Sequence, residues 1–267
     1  ISAMSGTESL GFAIGEIYTE RYFPESSKAQ MAELVENLRT ALGQRIDGLD
    51  WMGAETKVNA KAKLAAFRPK IGYPDQGIDF AGLDISADDL LGNVKTLRQF
   101  FQAKDVAVEM EPTDRERWGM TPQQVNAYYN SSFNEIVFPA AILQPPFFDP
   151  NADAAVNYGG IGAVIGHEMG HGFDDQGSKS DAQGVQRNWW TDEDRAAFDA
   201  KAEKLAAQYS AYEPIEGNFV NGKNSLGENI GDVGGLAMAY HAYQLSLNGK
   251  EAPIIDGTTG DQRFFLA

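Results

Sequence analysis

No cysteine occurs in this chain of 267 residues, so disulfide bonds, thiolate metal ligands and a cysteine nucleophile are excluded. Basic residues are also few, with 22 lysines and arginines against 38 acidic residues and a formal net charge of -16. This balance argues against nucleic-acid binding, which needs clustered basic side chains, and against attraction to anionic membranes. No apolar run approaches the roughly 20 residues of a membrane-spanning helix, so we expect no span in this chain.

Helical periodicity dominates the first hundred residues. We expect one helix to begin with Ser26 or Ser27 as its cap and to end at Gly48, because apolar residues recur there in steps of three and four. A second helix is expected over about 54–67, before a group of helix-breaking residues. The N-terminal part of the chain is therefore predicted to be helical.

Turn-forming residues are frequent at positions 71–84, and this segment is the expected boundary between two parts of the chain. Residues 1–85 form the first, helical part. Residues 86–267 form the second, which should open with a helix capped by Ser86.

Two short runs of strand-forming residues, 125–129 and 136–138, flank a polar turn and predict a β-hairpin. Further helices are predicted over about 158–173, from Thr191 onward, and over about 226–245. A small sheet among many helices is typical of an α+β protein that is mainly α.

The predicted helix 158–173 contains His167-Glu168-Met169-Gly170-His171, an H-E-x-x-H pattern. Residues four apart lie on one helical face, so His167 and His171 can bind the same metal ion. Glu168 can then accept a proton from a water that the metal activates. A solvated helix with two surface histidines is the alternative, but the chain has only three histidines. The third, His241, is interpreted as a polar residue of the last helix.

A catalytic zinc site usually has three protein ligands, so a third one is needed. The metzincin pattern fails, because Asp174 and Gly177 stand where that class has Gly and His. Thermolysin-like spacing points to the neighbourhood of Trp190 and Thr191. Glu193 is close to it, but its place among acidic residues in a first helical turn is a sufficient explanation.

Glu228 is the remaining candidate for the third ligand. It lies four residues before Asp232, so both carboxylates can share a helical face, one on the metal and one on a ligand histidine. The alternative is structural, since Ser225 and Glu228 have the spacing of a capping box. Spacing alone leaves both interpretations open.

Several blocks of the sequence resemble the neprilysin and endothelin-converting-enzyme family of zinc metallopeptidases, including its bacterial oligopeptidases. The most specific are HEMGHGFDDQG at 167–177, GENIGDVGGL at 227–236 and VNAYYNSSFNEIVFPAAILQPPFF at 125–148. LDWMGAETKVNAKAKL at 49–64 and IGYPD at 71–75 extend the resemblance to nearly the whole chain.

The resemblance implies a thermolysin-like zincin catalytic domain with a small sheet at 86–267, and helices from the end of a covering lobe at 1–85. It implies one Zn2+ per chain, bound by His167, His171 and Glu228, with Glu168 as the general base.

The resemblance also assigns residues around the metal ligands. Asp232 is expected to hold one ligand histidine and thereby to support catalysis. Asp174, three residues past His171, is expected from its spacing to hold the other. Asn126 and Ala127 are expected on an edge strand that binds the substrate backbone. The hydrophobic pocket beyond the scissile bond is expected to include Ile142, Phe147, Ala163 and Val164.

The implied function is a zinc-dependent metallo-endopeptidase that hydrolyses short peptides on the amino side of hydrophobic residues. Family members are longer, so we expect a missing lobe and a missing C-terminal segment, with the oxyanion-stabilising His and Arg beyond residue 267. One alternative is therefore a zinc-binding but inactive fragment or interaction module, and another is an acidic binding domain without metal. We expect a periplasmic or extracellular location, with the cytoplasm as the alternative.

Overall fold

The structure is a computed structural model that describes residues 6–267, which form nine α-helices and a three-stranded sheet. This confirms the predicted class, a mainly helical α+β fold. The helices are α1 (Gly11–Tyr22), α2 (Glu25–Asp47), α3 (Ala54–Ala65), α4 (Leu90–Val108), α5 (Ala154–Gly159), α6 (Ile161–His171), α7 (Asp192–Ser210), α8 (Leu226–Ser246) and α9 (Gly260–Leu266). The strands are β1 (Arg68–Gly72), β2 (Tyr128–Asn130) and β3 (Glu135–Pro139).

The sheet has the order β1-β3-β2, with β3 in the centre. The predicted hairpin is confirmed, because β2 pairs antiparallel with β3. Strand β1 was not predicted, since Pro69 and Gly72 interrupt its pattern. It forms because it pairs in parallel with β3, with Ile71 opposite Phe138. Strand β2 therefore has one unpaired edge within the described sheet.

Two of the predicted helix starts are wrong by a few residues. Helix α2 begins at Glu25, directly after Pro24, and no serine side chain caps it. A proline with φ of -70° suits the start of a helix, which explains the earlier boundary. Helix α4 is capped by Asp89, whose side chain accepts from the backbone N–H of Gly92, and Ser86 lies outside it.

The predicted helix 158–173 is in fact two helices, α5 and α6, which meet at Gly160. Gly160 has a ψ of -95°, which breaks the helical hydrogen-bond ladder. A Cβ on this residue would lie 2.6 Å from the carbonyl oxygen of Phe147, so only glycine fits the junction. The predicted helices at Thr191 and at 226–245 are confirmed by α7 and α8.

The hydrophobic core crosses the predicted boundary at residue 85. One cluster of buried side chains includes Leu38 of α2, Leu64 of α3, Phe138 of β3, Ile165 of α6 and Met238 of α8. The division into 1–85 and 86–267 stays a prediction, but these two parts share a core. Between residues 6 and 267, no helix has the combination of length and apolar character that crossing a membrane requires.

Candidate metal centre

Helices α6 and α8 cross closely, and this crossing brings the predicted metal ligands together. Glycine makes the approach possible: a Cβ on Gly166 would lie 2.5 Å from the carbonyl oxygen of Gly235. A Cβ on Gly235 would lie 2.4 Å from the backbone nitrogen of His167. The backbones therefore touch one residue before His167, and Glu228 on α8 comes to face the histidines of α6.

We predict that Gly235→Ala forces the two helices apart, because each clashing atom is backbone and cannot rotate away. Such overpacking typically costs about 1–3 kcal/mol of unfolding free energy, and zinc affinity should fall with it. The matched control is Gly234→Ala on the same helix, where a Cβ meets nothing within 4 Å. That variant should be neutral or stabilised by up to about 1 kcal/mol through helix propensity. Denaturant unfolding and zinc titration of both variants would check this, and equal behaviour would contradict the close crossing.

The three predicted ligands converge on one point. The Nε2 atom of His167 lies 3.2 Å from Oε2 of Glu228, and Nε2 of His171 lies 3.7 Å from the same oxygen. One ligand atom from each residue falls within 4.8 Å of the others, and His241 is not part of this group. Two imidazole nitrogens and one carboxylate oxygen are a common ligand set of catalytic zinc.

The outward ring nitrogens of both histidines are already engaged by carboxylates. Nδ1 of His167 lies 2.8 Å from Asp232, and Nδ1 of His171 lies 2.8 Å from Asp174. Because an ionised carboxylate can only accept, each Nδ1 donates its hydrogen to the carboxylate. In the neutral imidazole, the Nε2 lone pair then faces the cluster and can bind a metal. The residues present therefore fit a zinc ion, in the arrangement predicted for Asp174 and Asp232.

The alternative explanations for the third ligand do not match the geometry. Ser225 precedes α8, but its side chain makes no capping hydrogen bond, so Glu228 is not in a capping box. Glu193 lies in the first turn of α7 and outside the metal group. The metzincin class has its third ligand at position 177. No side chain fits there in this structure, because a Cβ on Gly177 would lie 1.8 Å from the carbonyl oxygen of His171.

Glu168 is buried beside the cluster, with 7% of its surface exposed. Burial raises the pKa of its carboxyl group above the ordinary value, although the nearby His171 and His167 act in the opposite direction. A raised pKa makes a carboxylate a better proton acceptor near neutral pH. The hydrogen bond that Nδ1 of His171 donates to Asp174 is the main cause that raises the pKa of His171 above its ordinary value.

The two carboxylates that hold the histidines differ in their surroundings. Asp174 is 5% exposed, and its Oδ1 accepts the backbone N–H groups of Gln176 and Gly177 at 2.8 and 2.7 Å. The Asp232 side chain is 69% exposed and bonds only to His167 among the described residues. The Asp174 carboxylate is thus oriented by backbone N–H groups as well as by His171. The Asp232 carboxylate has no such second contact within residues 6–267 and depends on its place on α8.

We predict that Asp232→Ala weakens zinc binding by roughly 10–100-fold without abolishing it, as the loss of a carboxylate behind a ligand histidine typically does. His167 keeps its place on α6 but loses the partner that fixes its tautomer. Chelator competition measures the affinity. Asp105→Ala, which removes another exposed helical carboxylate, is the control and should leave zinc affinity unchanged. An unaltered affinity in Asp232→Ala would contradict the assignment.

The predicted substrate residues lie at the start of the sheet edge. Asn126 is exposed and Ala127 is buried, and both come directly before β2. The Asn126 side chain accepts the backbone N–H of Ala127 at 2.9 Å. Because β2 is an edge strand here, the position suits the predicted main-chain pairing with a peptide, and that role stays a prediction.

The four predicted pocket residues are divided between the core and the site. Ile142 is buried in the main core, and Phe147 and Val164 are partly buried against it. Ala163 and Val164 lie on α6, in the turn before His167. Their role in substrate binding stays a prediction.

A cavity of about 590 Å³ adjoins the cluster, and sequence reasoning missed most of its residues. His171, Asp174 and Glu228 line it, and further polar residues from the hairpin and from loops include Tyr129, Ser131, Gln176, Lys179, Gln186, Lys223 and Asn224. Tyr129 and Ser131 follow the NAY segment and were detectable as its continuation. The loop residues had no local signal. A larger cavity of about 890 Å³ contains none of the metal ligands.

Comparison with known proteins agrees with the geometry. Models of peptidase family M13 match residues 2–74 and 126–267. Human endothelin-converting enzyme 1 is 41% identical over 98% of this chain and 36% of its own length. Human neprilysin is 39% identical over 95% of this chain and 36% of its own.

A solved structure shows the same fold. The crystal structure of the Mycobacterium tuberculosis zinc metalloprotease Zmp1 in complex with an inhibitor is 53% identical and has a TM-score of 0.89, covering 96% of this chain and 39% of its own. The chain therefore spans little more than a third of the length of these relatives. The family matches, the shared fold and the converging His-His-Glu group together establish that the chain belongs to peptidase family M13, among homologues that are zinc metalloproteases.

Proposed function

We propose that this chain supplies the metal centre of a zinc-dependent metallo-endopeptidase that hydrolyses short peptides on the amino side of hydrophobic residues. The observation that carries the proposal is the convergence of His167, His171 and Glu228 beside the buried Glu168. A metal site of this kind next to a carboxylate of raised pKa is suited to hydrolysis by an activated water.

Each residue of the cluster has a distinct task in this proposal. His167, His171 and Glu228 hold one zinc ion per chain. When bound, zinc acts as a Lewis acid that polarises the scissile carbonyl and makes water more acidic. The Glu168 carboxylate accepts a proton from the attacking water and then gives it to the leaving nitrogen. Asp174 and Asp232 keep the histidine Nε2 atoms directed at the cluster.

The substrate would bind along β2 by adding a strand to the open edge of the sheet. Asn126 and Ala127 would contact its backbone. The residue after the scissile bond would enter an apolar pocket lined by Ile142, Phe147, Ala163 and Val164. The position of Val164 supports this location of the pocket. Val164 lies one turn before His167 and so places apolar surface beside the two histidines.

Three measurements test the proposal together. Elemental analysis of the purified chain should give about one zinc per molecule, and loss of the metal to a chelator should abolish cleavage. A fluorogenic peptide with Leu after the scissile bond should be cleaved faster than the same peptide with Asp there. A chain without zinc would favour the acidic binding domain instead.

The second candidate is a zinc-binding module that is inactive by itself. The chain's coverage of only 36–39% of its relatives favours it. In that case the partners of this chain are the rest of the same protein, a covering lobe and a C-terminal segment. Zinc binding without hydrolysis, with activity restored when the remaining segments are supplied, would decide for this candidate. Export to the periplasm or the cell exterior stays a prediction, and cell fractionation would check it.

A further inference from the structure

Two lysines, Lys63 and Lys70, are buried in the described part of the chain, with 1% and 7% of their surface exposed. Burial of an ammonium group is costly unless its hydrogens are bonded. Lys70 forms an ion pair of 2.8 Å with Glu135 and donates to the carbonyl of Arg117. Lys63 donates instead to two backbone carbonyls, those of Gly177 at 2.6 Å and Ser180 at 2.7 Å.

Both carbonyl acceptors of Lys63 belong to residues 174–181, which we name the Asp174 loop. Gly177 is held from both sides, because its carbonyl accepts from Lys63 and its N–H donates to Oδ1 of Asp174 at 2.7 Å. The other oxygen of Asp174 binds Nδ1 of His171 at 2.8 Å. A continuous path of hydrogen bonds therefore runs from Lys63 to a metal ligand.

The surroundings of Lys63 fix its ammonium group in place. Its nitrogen lies 5.6–5.9 Å from the ring centres of Tyr129, Phe173 and Trp189. Aromatic faces at this distance attract a cation. Burial lowers the pKa of Lys63 to about 8, and the charges of Asp174 and Asp181 oppose that shift.

Neither the metal group nor the family blocks assign a role to Lys63, which lies on α3 in the N-terminal part of the chain. We propose that Lys63 is a positioning residue of the metal centre: it holds the Asp174 loop so that Asp174 keeps His171 oriented as a ligand. The inference rests on the proposed zinc site. Through Lys63, helix α3 would help to orient a metal ligand at a centre whose ligands lie on α6 and α8.

The test compares Lys63→Met with Lys70→Met in the full chain. Both variants remove a buried ammonium group, but only Lys63 contacts the Asp174 loop. Both should lower stability. Zinc affinity, measured by chelator competition, should fall in Lys63→Met, by at most the roughly 10–100-fold typical of a directly lost outer partner, and stay unchanged in Lys70→Met. Equal zinc affinities in two folded variants would overturn the proposal.

A second readout separates positioning from general destabilisation. Nitrogen-15 NMR of the zinc-free chain, at a pH below the pKa of about 8 of Lys63, reports the tautomer of each histidine. In Lys63→Met, His171 should lose its fixed Nδ1–H form, whereas His167, held by Asp232, should keep it. If Lys63→Met does not fold, Lys63→Gln replaces it, with a smaller change in the same direction. An unchanged His171 signal would overturn the proposal, whereas an unmodified chain that binds no zinc would overturn the proposed metal centre itself.

Discussion

Replacing Glu228 by alanine should lower zinc affinity by well over the roughly 10–100-fold expected for an outer partner such as Asp232. Glu228 supplies the only carboxylate oxygen of the metal group, 3.2 and 3.7 Å from the two histidine Nε2 atoms. Two imidazoles alone leave the ion with one protein ligand fewer than catalytic zinc usually has. Chelator competition and elemental analysis would measure the loss.

A capping role for Glu228 makes a different prediction for the same variant. The cost would then be about 1 kcal/mol of stability, with zinc affinity untouched. Ser225→Ala is the matched control, since Ser225 is the other member of the proposed capping box. Because its side chain makes no capping bond, this variant should leave zinc binding unchanged. Unchanged zinc affinity in Glu228→Ala would contradict the assignment of Glu228 as a zinc ligand.

The local part of the site could be predicted from spacing, because it depends on one helix. His167 and His171 are four residues apart, and helical geometry alone puts them on one face. The hairpin was predictable for a similar reason, as β2 and β3 are neighbours in sequence. Patterns within short stretches of sequence therefore predicted the pair of histidines on one helical face and the hairpin.

The third ligand could not be decided locally, because its role depends on how two distant helices cross. Ser225 and Glu228 match the spacing of a capping box as well as that of a ligand position. Apart from the family resemblance, the alternatives are separated by the close approach of the helices at Gly166 and Gly235 and by the missing capping bond of Ser225. Strand β1 was missed for the same reason. Its partner β3 lies far along the chain, and Pro69 hides its local pattern.

Lys63 was missed because lysine is ordinarily an exposed residue, and one lysine among others on α3 gives no sign of burial. Its acceptors, the carbonyls of Gly177 and Ser180, are backbone groups that no sequence pattern reveals. Asp174 was found only as a carboxylate at a suitable spacing. The structure adds that the backbone N–H groups of Gln176 and Gly177 bond to the Asp174 carboxylate and hold it in place.

Replacing Glu168 by glutamine should preserve zinc binding and lower the hydrolysis rate by about two to four orders of magnitude, the usual contribution of a general base. The amide is close in size to the carboxylate, so the packing around this buried side chain should survive. It cannot accept the proton of the attacking water, and it cannot return one to the leaving nitrogen. The kcat on a fluorogenic peptide and the zinc content of the same sample measure both effects.

Glu135→Gln is the matched control for this prediction, because Glu135 is also a buried glutamate but pairs with Lys70 instead of facing the metal group. Removing its charge leaves the ammonium of Lys70 without its ion pair, so stability should fall. The kcat of the folded fraction should stay near that of the unmodified protein. Comparable hydrolysis rates in the Glu168 and Glu135 variants would show that Glu168 is not the base. Loss of zinc in Glu168→Gln would show that its carboxylate supports the metal ligands, and the proton transfer would then have to be assigned to another group.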